Sequence, residues 1–503
     1  MRQHWVGVGL LVAAATGCQP ESSTGPKDTG PIPSLLESGK PRPTRSGVVA
    51  LRAQRRAGSA ITARRSGAQE QDRGNVGPNV VTNQDETTQP QNETVIAVDP
   101  RSSGRLVASS NDYRFSDVAD SRCGAYASSD GGRTWRDLGD GTLPTPLPAA
   151  GDPSVAFAPN GDAYWACLAF SRETDASAIY VAKSSNLRSL RTFAPLVHTT
   201  DGSEVFHDKP FMAIDGGGSR FRGRIYVTWT RFSAEGSPIY ISSSSNGGAT
   251  WTTPRSVTPP DLPDNHGSSP GVAPDGTLYV AYENFDTPTI NLNQIMVSKS
   301  TDGGRTFSRP VKVDAVFDIC PQIAFGSCSL LNTSFRVNSF PSLAVSPRNG
   351  QVYVTWGDYR SGNADVLASS SADGARWSRP ARVNDDRTTT DQFFPAVAAT
   401  PDGDVTIAYY DRRQDPANHD MDTYLSVSGG SRLSFGKAVR VSSASQNPDE
   451  DFGGFFIGDY IGNTASLSVI HPIWSDTRGL NSPVPNQDAV TARVSQSSDL
   501  AGR

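Results

Sequence analysis

Beyond its first fifteen residues the chain has no apolar run long enough to cross a bilayer as a helix. It has no CxxC pairs and no histidine cluster, which excludes a zinc site of the usual spacing. It also lacks a dominant charge sign. Lys and Arg number 46 against 51 Asp and Glu, a formal net charge of −5, so bulk composition gives no pointer to nucleic acid. Charged residues make up only 19% of the 503, while Gly (47) and Pro (36) are plentiful. That balance suits a turn-rich all-β chain rather than a helical one.

The N-terminus carries an export pattern. Arg2 and His4 precede an apolar run from Trp5 to Ala15, which closes in Ala15-Thr16-Gly17-Cys18. Short length and small closing residues are the marks of an export signal. Residues 1–18 resemble a bacterial lipoprotein signal, which implies that Cys18 is lipidated. Ala15 stands where such signals usually have Leu, and an ordinary secretory signal is the alternative. The expected location is the bacterial cell envelope, periplasmic or surface-facing, with the lipid as the only membrane contact. Residues 19–85 read as a disordered tether, rich in Pro, Gly, Ser and Thr and without an apolar period. Within it, Lys40 to Gln69 holds Lys40, Arg42, Arg45, Arg52, Arg55, Arg56, Arg64 and Arg65 and no acid. This is a solvated spacer or a contact for anionic lipid or polymer. Export leaves Cys123, Cys167, Cys320 and Cys328 in an oxidising compartment, where an even number predicts two disulfides. Cys320 and Cys328 are close enough to staple one loop, which leaves Cys123 for Cys167.

From residue 86 to 498 the chain repeats. Seven openings, among them "GDPSVAFAPNGD" (151–162), "HDKPFMAIDGG" (207–217) and "FFPAVAATPDGD" (393–404), each lead into an Asp/Asn/Gly turn. A second strand follows, such as "RIYVTWT" or "QVYVTWGD", and then a third, such as "PIYISSSS". Units of strand, turn, strand, loop, strand, turn and strand predict an all-β propeller of four-stranded antiparallel blades. Seven blades are favoured over six. The last unit runs out after "DAVTARVS", and "NVVTN" (79–83) can supply its fourth strand and close the ring. The chain is expected to be monomeric.

A phrase marks the end of each third strand. "SSDGGRTW" (128–135) returns as "SSNGGATW" (244–251), as "STDGGRTF" (300–307) and, one residue short, as "SADGARW" (371–377). Its constants are Ser128, Asp130, Gly132 and Trp135; Ser244, Asn246, Gly248 and Trp251; Ser300, Asp302, Gly304 and Phe307; then Asp373 and Trp377. Asp and Ser can bond nearby backbone N–H groups, Gly supplies positive φ, and the aromatic can bury against the next blade. A catalytic group is needed once, so graded copies point to structure. The phrase is similar to the Asp box of BNR-repeat propellers, which include sialidases. The resemblance implies the fold and says little about activity.

By propeller topology this phrase lies opposite the face where ligands usually sit, so chemistry is sought in the other loops. Asp-x-Arg recurs there, with Arg114, Arg360, Arg412, Arg413 and Arg478. Either the pairs stiffen loops, or the arginines converge to grip a carboxylate. The blade entries add Asp152, His207, Asp208, Lys209, His266, Asp459 and Tyr460. Sialidases hold a substrate carboxylate with three arginines and use a Tyr nucleophile activated by Glu, with an Asp acid/base. The resemblance would give Arg114, Arg360, Arg412, Arg478, Lys209 and His207 to substrate, with Tyr460, Glu283 and Asp208 catalytic. Against it, sialidases have six blades and an Arg-Ile-Pro motif that has no match near "NETVIAVDP". The readings left open are a glycan-directed, sialidase-like exo-glycosidase for acidic sugars and a non-catalytic propeller binding a glycan or surface protein. No cofactor or metal is implied; the Asp-rich "DPANHDMD" would admit calcium, but its spacing matches no known ligand loop.

Overall fold

In a computed structural model the described residues run from 75 to 500, apart from 116–119, 142, 144–146, 286–291, 325, 430–431, 451 and 497–499. The export signal, Cys18 and the basic stretch lie outside the described residues.

The second strands are the most apolar, and every position of Ala163–Phe170, Val352–Asp358 and Val405–Asp411 is buried. A strand covered on both faces has no reason to alternate, which is why these segments read as continuous Val, Tyr, Trp and Ile. Trp165, Trp229, Trp356 and Trp474 are fully buried between blades.

The strands form seven antiparallel blades. Blade 1 is Gln91–Asp99, Ser102–Asp112, Arg122–Ser128 and Arg136–Gly139. The first strands of blades 2 to 6 are Ala149–Phe157, Phe206–Ile214, Asn265–Val272, Ser342–Val345 and Gln392–Ala399. Blade 7 combines Gly462–Ala465, Val469–Asp476 and Asp488–Ser495 with the N-terminal strand Val76–Val81 as its outer member. Val76 pairs with Val494 and Val81 with Val490, so the two ends of the folded unit close the ring and leave no open sheet edge there. Among the described residues the folded unit thus includes Val76–Val81, upstream of the boundary drawn from composition at residue 86.

Cys123 and Cys167 are bonded and join blade 1 to blade 2; Cys320 and Cys328 are bonded within the segment between blades 4 and 5. That segment contains a small hairpin, Gln322–Ala324 with Ser327–Ser329.

The repeated phrase is a self-contained turn between third and fourth strands. Ser128 Oγ accepts from the Gly132 N–H at 2.9 Å and donates to Asp130 Oδ1. Asp130 Oδ1 accepts from the N–H groups of Arg133 and Thr134, both at 3.0 Å, and Oδ2 accepts from the Thr134 hydroxyl. Ser300 and Asp302 repeat this set, and Ser371 with Asp373 keeps most of it. Ser244 and Asn246 do the same with an amide in place of the carboxylate. Gly131 and Gly132 have φ of 74° and 81°, which the turn requires. Each closing aromatic packs toward the preceding blade: Trp135 on Ile473, and Trp251, Phe307 and Trp377 in the equivalent places.

Candidate functional site at the channel mouth

The first strands share a defect that builds the site. Their pairing slips between Asn92 and Val95, Gly151 and Ser154, Asp208 and Phe211, His266 and Ser269, and Phe393 and Ala396. The bulged residues are Glu93, Asp152, Lys209, Gly267 and Phe394, with φ of 54°, 52°, 54°, 66° and 50°. Only glycine adopts such a backbone freely, so the other four hold strain of about 1–3 kcal/mol each. A bulge re-aims a side chain and removes the need for a ladder N–H. This explains why Pro153, Pro210 and Pro395 follow directly.

The re-aimed side chains meet residues from other blades. Lys209 Nζ lies 3.2 Å from Asp459 Oδ2 and 3.7 Å from Asp152 Oδ1. Arg336, on the segment between blades 4 and 5, binds both Asp459 oxygens, Nε at 2.6 Å and an Nη at 2.7 Å, and also lies 3.9 Å from Glu93. Asn338 donates to the Asp459 carbonyl at 3.0 Å. Asn111 fixes the opposite side, donating to Glu93 Oε2 at 2.7 Å and accepting from the Asp152 N–H. Tyr460 donates to the Pro153 carbonyl at 3.3 Å, and Lys209 Nζ sits 4.5 Å from its ring centre. His266 Nε2 is 3.8 Å from Asp208 Oδ2, with Thr230 at its Nδ1.

This environment drives the carboxyl groups apart. Burial, then the neighbouring Asp152 charge, pushes Asp208 well above the usual carboxylate range. Glu93 is also raised, by burial and then by Asp152. Burial would raise Asp459 too, but Arg336 and Lys209 outweigh it and hold Asp459 well below its ordinary value. Lys209 is raised: burial opposes its charge, and Asp459, Asp152 and Glu93 overcome that. Burial and the surrounding carboxylates raise the Tyr460 phenol. Beside the cluster is a cavity of about 50 Å³, lined by Lys209, Phe211, Phe340, Phe394, Asp459 and Tyr460, with room for a few waters.

The expected arginine cluster does not form. Arg114 pairs with Asp112, Asp137 and Asp85; Arg360 with Asp358 and Asp314; and Arg478 with Asp476. In each, the first Asp accepts from the backbone N–H two residues on and its carboxylate then holds the guanidinium. In blade 6 that role falls to Arg413, not Arg412. Arg412 is fully buried, donating to the carbonyls of Leu331 and Asn418 and to Thr333, with Asp391 at 3.5 Å. Glu283 is not beside Tyr460. It lies in blade 4 with Asn293 and Asp318, its carboxyl raised by burial and then by Asp318. His207 accepts from the Trp229 indole at 2.9 Å, and burial lowers it to about 3, so it serves as a neutral core residue. In the Asp-rich loop, Asp415, His419 and Asp420 could reach one ion. Asp415 instead accepts three backbone N–H groups, and His419 lies between Asp420 and Asp449.

The structure thus brings together Asp152, Asp208, Lys209, Asp459 and Tyr460, and adds Glu93 and Arg336, which sequence reasoning missed. Glu93 in "QNETV" holds the place of Lys209 in "HDKPF", so aligning the blade entries would have found it. Arg336 sits outside the repeat and gives no such signal.

No family model matches the chain, and no curated protein does. Solved structures are similar to it. A Hadza microbial sialidase is 12% identical over 74% of this chain and 73% of its own, with a TM-score of 0.45. An α-L-arabinofuranosidase of Fusarium graminearum, solved with arabinobiose, is 10% identical over 84% and 98%, with a TM-score of 0.48. The phage phi92 endosialidase is 12% identical over 84% and 70%, with a TM-score of 0.47. The likeness is one of fold.

Proposed function

We propose that the chain is an exported, lipid-anchored, glycan-directed propeller whose channel mouth hydrolyses a glycosidic bond by carboxyl acid–base chemistry. One observation carries this reading: around Lys209, Asp208 is driven up while Asp459 is driven down. Two carboxyls held in opposite protonation states are what a proton donor and its ionised partner require. Asp208 protonates the leaving oxygen, and Asp459 stabilises or attacks the sugar centre. Lys209 Nζ is 3.2 Å from Asp459 and 3.7 Å from Asp152, so those carboxylates stand less than about 7 Å apart. That limit, taken from Asp152 beside the acid Asp208, admits the retaining spacing of about 5–5.5 Å and only the lower edge of the inverting range of about 6.5–9.5 Å. Phe211, Phe340 and Tyr460 offer ring faces to a sugar.

The substrate is a neutral glycan rather than an acidic sugar. Lys209 and Arg336 both face Asp459, and Arg360 and Arg478 are committed to aspartates of their own or the adjacent blade, so none of these four described cations is left to grip a carboxylate. Tyr460 acts as a ring surface, because burial and then the neighbouring carboxylates oppose ionisation of the phenol. A panel of fluorogenic neutral glycosides and a sialoside tests this. Turnover of a neutral member, reduced about 100- to 10,000-fold in Asp208→Asn, is expected. The second reading, binding without turnover, is favoured by the engagement of both Asp459 oxygens by Arg336 and Lys209. Calorimetric binding of an oligosaccharide with no hydrolysis across the panel would select it.

A further inference from the structure

The two faces of the ring use arginine differently. At the mouth, Arg114, Arg360 and Arg478 are matched by aspartates. The opposite face carries the turns between third and fourth strands. There, blades 1 to 6 each present an exposed guanidinium beside the turn: Arg133, Arg188, Arg255, Arg305, Arg376 and Arg432. Arg133 and Arg255 donate to the carbonyls of Asp130 and Arg305, at 2.7 and 2.8 Å, which leaves their charge uncancelled. Asp130 and Asp302 point into their own turns, blades 2 and 3 carry Asn186 and Asn246 instead of a carboxylate, and of the six only Arg376 has a carboxylate partner among the described contacts, Asp373 at 3.4 Å in an exposed pair. The chain as a whole is net acidic, so this crowding of cations on one side is a property of the fold.

The route of the chain gives a second, independent observation. Asp488–Ser495 runs from the mouth to the turn face, and Val76–Val81 pairs antiparallel to it. The Ser495 N–H donates to the Asn75 carbonyl at 2.8 Å, and the Arg493 guanidinium reaches the Gly131 carbonyl of the neighbouring turn. The chain therefore enters the ring on the turn face, at the place where other blades have their turn. Everything before residue 75, including Lys40–Gln69 and Cys18, is joined to the basic face.

We propose that the turn face docks on an anionic phospholipid surface and directs the channel mouth away from it. A random coil of the length between Cys18 and Val76 would span on the order of 40 Å, so chain length alone retains the ring near a membrane without orienting it. The face supplies the orientation, since each cation at an anionic surface strengthens binding roughly fivefold.

The test uses the full chain as Cys18→Ser, which has no acyl group. Vesicles of phosphatidylcholine with about one third phosphatidylglycerol should bind it at low salt and release it at high salt, and pure phosphatidylcholine should not bind. Arg133→Glu, Arg305→Glu and Arg376→Glu together should weaken binding at least about 20-fold with an unchanged melting temperature. Hydrogen exchange on the bound chain should slow at 128–135 and 300–307 and stay unchanged at 412–420 and 478–487. Binding that ignores the triple substitution would assign the contact to the tether and overturn the proposal. Protection at the mouth, or capture of a soluble polyanion with no binding to the vesicles, would overturn it too.

Discussion

Arg412 separates the sequence reading from the structure. As a substrate arginine it would be replaceable without harm to the fold. In the structure its guanidinium is fully buried, bonded to the Leu331 and Asn418 carbonyls and to Thr333, and flanked by the Phe335 and Phe393 rings at 5.4 Å each. Burial lowers its pKa to about 10, and Asp391 works against that. Arg412→Ala leaves Asp391 buried without its counter-ion and three acceptors without a donor. Breaking such a pair costs about 3–5 kcal/mol. For a folded unit of roughly 400 residues the unfolding entropy is about 0.9 kcal/mol per kelvin, so the melting temperature should fall about 3–6 °C. Arg412→Lys should recover less than half, because lysine lacks the planar fork. Scanning calorimetry near pH 7 reads the shift. A melting temperature within about 1 °C of wild type, together with lost glycan turnover, would refute this and restore Arg412 as a substrate contact.

Other perturbations follow from the same contacts. Burial and Asp152 raise Asp208, so the folded state binds the extra proton and stability falls as pH rises above the ordinary carboxylate value. Asp208→Asn should therefore melt higher than wild type at pH 7–8 while losing activity; a lower melting temperature would contradict the buried, protonated carboxyl. Burial would raise Asp130 and Asp302, but their several turn hydrogen bonds together outweigh it and lower both to about 2, so their contribution should be complete above about pH 4 and lost between there and about pH 2. An Asp302→Asn chain should lose less stability over that interval in thermal scans. The Cys123–Cys167 bond closes a loop of sequence separation 44 and the Cys320–Cys328 bond one of 8. Loop entropy assigns them about 4 and about 2.6 kcal/mol, so paired Cys→Ser replacement should cost more for the first.

The fold was legible because it is written seven times. Strand composition, the Asp/Asn/Gly turns and the Ser-x-Asp-x-Gly phrase are local signals, and each turn makes its hydrogen bonds within eight residues, as in 128–135. Ring closure was legible because the last unit lacked a strand that residues 79–83 could supply. The site was less so. Its residues lie in different blades and meet only because a bulge turns Glu93, Asp152 and Lys209 inward, which depends on backbone φ rather than on residue type. The Asp-x-Arg motif misled for a related reason. Its recurrence looked like convergence on a ligand, whereas each guanidinium closes on carboxylates of its own or the adjacent blade.

The central claim is that function resides in the channel-mouth carboxyls and not in the loop arginines. The most direct test compares kcat/KM on the neutral glycoside turned over by wild type for Asp459→Asn and Arg360→Ala. The account predicts a loss of at least about 100-fold for the first and less than about threefold for the second. The reverse order, or full activity in Asp459→Asn, would contradict it.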